Sequence, residues 1–228
     1  MQIRGLDFHV RRSGSGQCFI WEHALLSSIA DEDAQGLFKW SDFDGAVELV
    51  RFDARGHGKS ASSNAACDYE WSAMGQDLLA MADALNAAQF IGGGVSRGCA
   101  SVLHAALQAP HRMRALVLVA PPTLWEARSA PQRWYRRQAF VAAKSAGQAA
   151  LAPLYAGAAR SNLPPRAQLA ALATIPTLII GWPDDAVHPL ASAQELHRLL
   201  PESRLFVATD MAQRASIAGR ISDFISGL

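Results

Sequence analysis

Cysteine is scarce in this sequence: Cys18, Cys67 and Cys99 make an odd number, at spacings that match no metal-ligand pattern. A disulfide framework and a zinc site are therefore not expected, and a reducing compartment, the cytoplasm, is. Net charge is almost absent as well, with 21 lysines and arginines against 20 aspartates and glutamates. That balance gives no general attraction for nucleic acid or for an anionic membrane. No apolar run is long enough for a signal peptide or a membrane span, and the opening Met1-Gln2-Ile3-Arg4 soon reaches charged and glycine-rich residues. Histidine is missing from the end of the chain: there are seven, and none follows His197.

What is present fits one domain of 228 residues, half of them apolar and 18% charged, enough to bury a substantial core. Its centre is Phe90-Ile91-Gly92-Gly93-Gly94-Val95-Ser96-Arg97-Gly98-Cys99, a buried strand running through a tight turn into a helix marked by Ala100, Val102, Leu103, Ala106 and Leu107. In Gly-x-Ser-x-Gly the flanking glycines let strand and helix pass closely, and the serine hydroxyl is pushed outward beside the first N–H groups of the helix. A dinucleotide-binding loop is the competing reading of Gly92, Gly94 and Gly98. It fails because the third glycine of that fingerprint falls at Arg97, and the next strand ends in Pro121-Pro122 without an acidic residue for a ribose.

Apolar runs predict strands at Asp7–Arg12, Cys18–Trp21, Val47–Asp53, Arg114–Ala120, Thr177–Ile180 and Arg204–Ala208. Helical spacing predicts helices over Trp71–Asn86, Leu190–Leu200 and Ala215–Leu228, and the change of composition over Leu124–Asn162 reads as an inserted helical cap. This alternation predicts an α/β fold with a mostly parallel sheet flanked by helices, and one functional face at the carboxyl ends of the strands. Four loops there carry His23, His57, Ser96, and Asp184 with Asp185 and His188.

Four motifs together give the chain a resemblance to the α/β-hydrolase fold superfamily, in its small, capped, bacterial carboxylesterase- or lactonase-like branch. They are His23-Ala24, Asp53-Ala54-Arg55-Gly56-His57-Gly58-Lys59-Ser60, Gly94-Val95-Ser96-Arg97-Gly98, and Pro176-Thr177-Leu178-Ile179-Ile180-Gly181 leading to Asp184-Asp185 and Pro189. The resemblance covers nearly the whole chain. It implies that Ser96 is a nucleophile and that the N–H groups of Arg97 and Leu25 form an oxyanion hole, with Ala24 where the family has glycine. It also implies an acid at Asp185, four residues before Pro189, or at Asp184, three after Gly181; Asp185 is favoured because the proline fixes the loop's exit. Neither metal nor organic cofactor is implied, and the expected partner is a small-molecule substrate. Oligomeric state is not readable.

The family's base follows the last strand, where this chain has Phe206-Val207-Ala208-Thr209-Asp210. A serine hydroxyl needs a base within hydrogen-bond reach. His9, His104, His111 and His197 read as structural or solvated, and His57 as a brace of its glycine turn. His23 borders the oxyanion loop, as a brace or as a substrate contact. His188 lies on the loop after a strand two places from the serine strand in the family order, about 10 Å away, and is the expected replacement base. Arg97 requires an acidic side chain or a ligand carboxylate. Trp125, with Trp134 and Tyr135, lines an acyl pocket or packs the cap on the core. The cap's Arg128, Arg133, Arg136, Arg137, Lys144 and Arg160, against Glu126 alone, fit an anionic substrate or a solvated helix face. Cys99 reads as a small core residue. The expected function is a serine hydrolase of a small carboxylic ester or lactone. The alternatives are a ligand-binding or sensor protein that has lost turnover with its histidine, and an enzyme using the pocket without acyl transfer.

Overall fold

The computed structural model describes residues 1–43, 45 and 47–228. β1 (Gln2–Ile3) and β2 (Leu6–Asp7) form a small antiparallel pair turned at Arg4-Gly5, both with positive φ. The strand expected over Asp7–Arg12 is therefore split: Asp7 belongs to β2, and β3 runs Val10–Gly14. β4 (Gln17–Glu22) leads to α1 (Ile29–Gln35), and β5 (Val47–Phe52) to α2 (Trp71–Ala84). That helix stops short of the expected Asn86, which takes φ 55° and turns the chain toward β6 (Phe90–Val95). α3 (Arg97–Gln108) and β7 (Met113–Val119) follow.

Between β7 and β8 (Thr177–Gly181) lie α4 (Ser129–Ala143) and α5 (Ala152–Arg160), within the stretch expected to be a cap. The chain ends with α6 (Leu190–Leu199), β9 (Ser203–Val207), α7 (Met211–Ala215) and α8 (Ile217–Ser226). Where one closing helix was expected there are two, the second starting after Ser216 with α7 capped by Asp210.

The seven-stranded sheet has the order β3-β5-β4-β6-β7-β8-β9, parallel throughout except for β3 against β5. Both faces are covered, which is why its strands read as unbroken apolar runs. Ile20, Val50, Phe90, Leu116 and Ile179 pack on one face with Leu78, Val102 and Leu196 from α2, α3 and α6. Phe19, Leu49, Ile91, Val117 and Ile180 pack on the other with Phe38, Phe43, Ile221 and Phe224. Among the described residues no helix is long and apolar enough to cross a membrane.

Candidate active site

Ser96 stands between β6 and α3 with φ 55° and ψ −114°, a conformation that side chains rarely adopt. Its neighbours permit it. A Cβ at Gly98 would sit 2.2 Å from Glu22 O, and one at Gly94 2.6 Å from the Gly98 carbonyl carbon, so only glycine lets the helix approach β4 and β6 this closely. The Ser96 N–H donates to Val119 O at 2.9 Å and locks the turn to β7. Cys99 is fully buried, its thiol bonded to Gly94 O and Val119 O and pushed up by burial, so it has no nucleophilic character.

The loop after β8 brings the other groups. The Asp185 carboxylate accepts from the N–H groups of Val187 and His188, both at 2.9 Å, and from Trp182 Nε1 at 3.1 Å. His188 Nδ1 is 2.9 Å from Asp185 Oδ2, and His188 Nε2 is 2.7 Å from Ser96 Oγ. Burial raises the Asp185 carboxyl, but the hydrogen bonds from the His188 ring and the loop N–H groups outweigh it and hold the group below its usual range. An ionised acceptor at Nδ1 places the ring proton there. That leaves the Nε2 lone pair to accept the serine proton. Asp184 is exposed, takes φ 63°, and among the described residues accepts no hydrogen bond; it forms the turn that presents Asp185. After β9, where the resemblance implies a histidine, Asp210 caps α7 and the Thr209 N–H donates to Gln213 Oε1.

Three expected substrate contacts are corrected by their surroundings. His23 is buried: Nδ1–H donates to Ala24 O at 2.7 Å and Nε2 accepts the Ala54 N–H at 2.9 Å, so both nitrogens are used in holding two loops together. The Arg97 guanidinium points away from the cavity, into the core, where it pairs with Glu22 and donates to His23 O at 2.9 Å and Met74 Sδ at 3.3 Å. Only the backbone of Arg97 is left for a ligand. Trp125 lies outside the cavity, its indole donating to Pro164 O at 2.8 Å and its ring covered by Arg166 at 4.0 Å.

The cavity over Ser96 has a volume of about 310 Å³. Leu25, Ser96 and Arg97 line it, with Trp134 and Tyr135 of α4 and with Trp71, Pro131 and Arg128. Neither the Leu25 nor the Arg97 N–H donates to a protein acceptor among the described residues, and Arg97 opens α3, where helical N–H groups are unpaired. Trp71 and Pro131 were not foreseen: Trp71 reads from its spacing only as the first core residue of a helix, and nothing local marks it as a wall.

Three further histidines hold structural contacts. His9 bonds Asp53 and His104 bonds Asn162 O, each at 2.9 Å. His57 donates from Nδ1 to Arg55 O at 2.8 Å, and burial, with the nearby Arg97 charge, pushes its pKa down to about 3. Its folded value thus lies below the unfolded one, so its contribution is intact above about pH 6.5 and is lost as pH falls, by about 1.4 kcal/mol per pH unit. Urea unfolding between about pH 6.5 and 4 should show a stability slope steeper in the wild type than in His57→Gln by about that amount; equal slopes would mean that His57 is protonated in the folded protein.

A model of the α/β-hydrolase fold matches residues 46–146. No curated protein sequence matches the chain. Among solved structures, a hydrolase from Pseudomonas aeruginosa PA01 superposes with a TM-score of 0.79 at 20% identity, over 98% of this chain and 94% of that one. A thermophilic esterase from Thermogutta terrifontis gives 0.78 at 19% identity, over 97% and 92%. The enol-lactonase from Burkholderia xenovorans LB400 gives 0.74 at 17% identity, over 98% of both chains. With its order of strands, its serine turn and these likenesses, the chain has the α/β-hydrolase fold.

Proposed function

We propose that the protein is a serine hydrolase that cleaves a small carboxylic ester or lactone, with Ser96 as nucleophile, His188 as general base and Asp185 as the group that orients it. The observation that carries the reading is the pair of contacts on one imidazole, 2.7 Å from Nε2 to Ser96 Oγ and 2.9 Å from Nδ1 to Asp185 Oδ2. Ser96 Oγ attacks the carbonyl carbon as its proton passes to His188 Nε2. The N–H groups of Leu25 and Arg97 receive the charge that develops on the carbonyl oxygen. When the carbon–oxygen bond to the leaving group breaks, the leaving alkoxide takes the proton from Nε2 and the acyl group stays on Ser96. Water then gives a proton to Nε2 as its oxygen attacks the acyl carbon; the bond from that carbon to Ser96 Oγ breaks, Oγ takes the proton back from Nε2, and the acid leaves.

A cavity of about 310 Å³ walled by Trp71, Trp134 and Tyr135 suits a short acyl group. The esterase and enol-lactonase among the similar folds accord with that substrate class. The test is hydrolysis of para-nitrophenyl butyrate: turnover in the wild type that disappears in Ser96→Ala supports the reading, and equal release by both proteins would overturn it.

A further inference from the structure

Four arginines are buried among the described residues: Arg51, Arg55, Arg97 and Arg128. Three of them meet carboxylates. Arg51 pairs with Glu32 and Asp33, Arg55 with Asp68 and Asp77, and Arg97 with Glu22. Arg128 meets no carboxylate among the described residues, yet it is 1% exposed and lines the cavity over Ser96. The cap's other basic residues, Arg133, Arg136, Arg137, Lys144 and Arg160, are exposed, so the solvated-face reading serves them and leaves Arg128 unexplained.

The contacts of Arg128 fix its direction without cancelling its charge. Nε donates to Ser161 O at 2.7 Å and Nη2 to Ala158 O at 3.1 Å, both at the carboxyl end of α5. The guanidinium stacks on the Trp71 ring at 3.7 Å, with Tyr135 at 5.7 Å. A helix end offers only about half a negative charge, and an aromatic face less. No protein acceptor among the described residues takes Nη1. Burial lowers the pKa to about 10, which still leaves a cation at neutral pH. A buried cation without a counter-charge is costly, and no carboxylate is among the cavity-lining residues to repel an incoming anion.

We propose that Arg128 receives a carboxylate carried by the substrate at the end remote from the scissile bond, so that the preferred substrates are half-esters of small dicarboxylic acids, or lactones bearing a free carboxylate. This rests on the reading of Ser96 as the nucleophile and adds the substrate class. Trp71 and the α5 carbonyls hold the guanidinium plane while Nη1 meets the incoming oxygen. The neutral walls around it suit the chain linking the two carbonyl groups.

The test compares kcat/KM for the mono-para-nitrophenyl ester of glutaric acid with that for para-nitrophenyl pentanoate, an uncharged ester of equal chain length. The wild type should favour the charged ester by about tenfold or more, and Arg128→Met should lower that ratio about 30-fold, the loss expected of a charge-assisted hydrogen bond. Arg128→Lys should keep part of the preference, since a point charge replaces a fork, and it serves alone if the methionine variant does not fold. An unchanged ratio in either variant overturns the proposal, as does a wild type that prefers the uncharged ester. If neither ester is turned over, the reading of Ser96 fails separately. Glutarate then decides: a rise in Tm of the wild type that Arg128→Met lacks keeps the carboxylate site, and no rise removes it.

Discussion

His188→Ala should lower kcat for ester hydrolysis by about ten-thousandfold or more, and Asp185→Asn by about as much, because the two changes disable one unit. Without the imidazole the Ser96 hydroxyl has no acceptor for its proton. With asparagine at 185, the amide nitrogen in the carboxylate's place turns the ring proton toward the serine. Asp184→Asn should stay within about threefold of the wild type, since asparagine tolerates the same left-handed backbone and the Asp184 carboxylate touches nothing in the site. Steady-state kinetics on the three variants separates the two adjacent acids. A His188→Ala enzyme within tenfold of the wild type would remove the histidine from the chemistry.

Glu22→Ala should cost about 3–5 kcal/mol of stability, the loss expected when one partner of a fully buried ion pair is removed and the other charge is left behind. Glu22 and Arg97 are each 1% exposed, and Arg97 Nη2 also holds His23 O at 2.9 Å. The pair therefore joins the residue that follows Ser96 to the loop that leads to Leu25, the two sides of the proposed oxyanion hole. A double change, Glu22→Met with Arg97→Met, should be less destabilising than the sum of the single changes, because it leaves no orphaned charge. Urea midpoints for Glu22→Ala, for Glu22→Met and Arg97→Met singly, and for the double variant test this. A Glu22→Ala loss below about 1 kcal/mol would mean that water reaches the arginine.

The alternation of strands and helices was legible because a sheet covered on both faces leaves unbroken apolar runs such as Arg114–Ala120, where the strand is Met113–Val119. The turn at Ser96 was legible because two glycines are required there by contacts under 3 Å. That His188 lies near Ser96 was readable only through strand order, since no local pattern joins residues 92 apart. Directions of long side chains were not legible. Arg97 announces the need for a partner, but its choice of Glu22 over a ligand depends on how β4 lies against α3. Trp125 and Trp134 look alike in sequence, and their different places follow from the positive φ of Trp125, 42°, and from Asn162 Oδ1 accepting its N–H at 2.9 Å. Arg128 was hidden among six basic residues, because a count of charges does not say which one lacks a counter-charge.

The most direct test of the central claim is the rate at which a fluorophosphonate labels Ser96, read by intact mass and peptide mapping, in the wild type and in His188→Ala. One adduct, on Ser96, is expected in the wild type, and labelling slower by about a hundredfold or more in the variant, if the serine attacks phosphorus through the same proton transfer. Equal labelling rates in the two proteins, or an adduct on another residue, would contradict that claim.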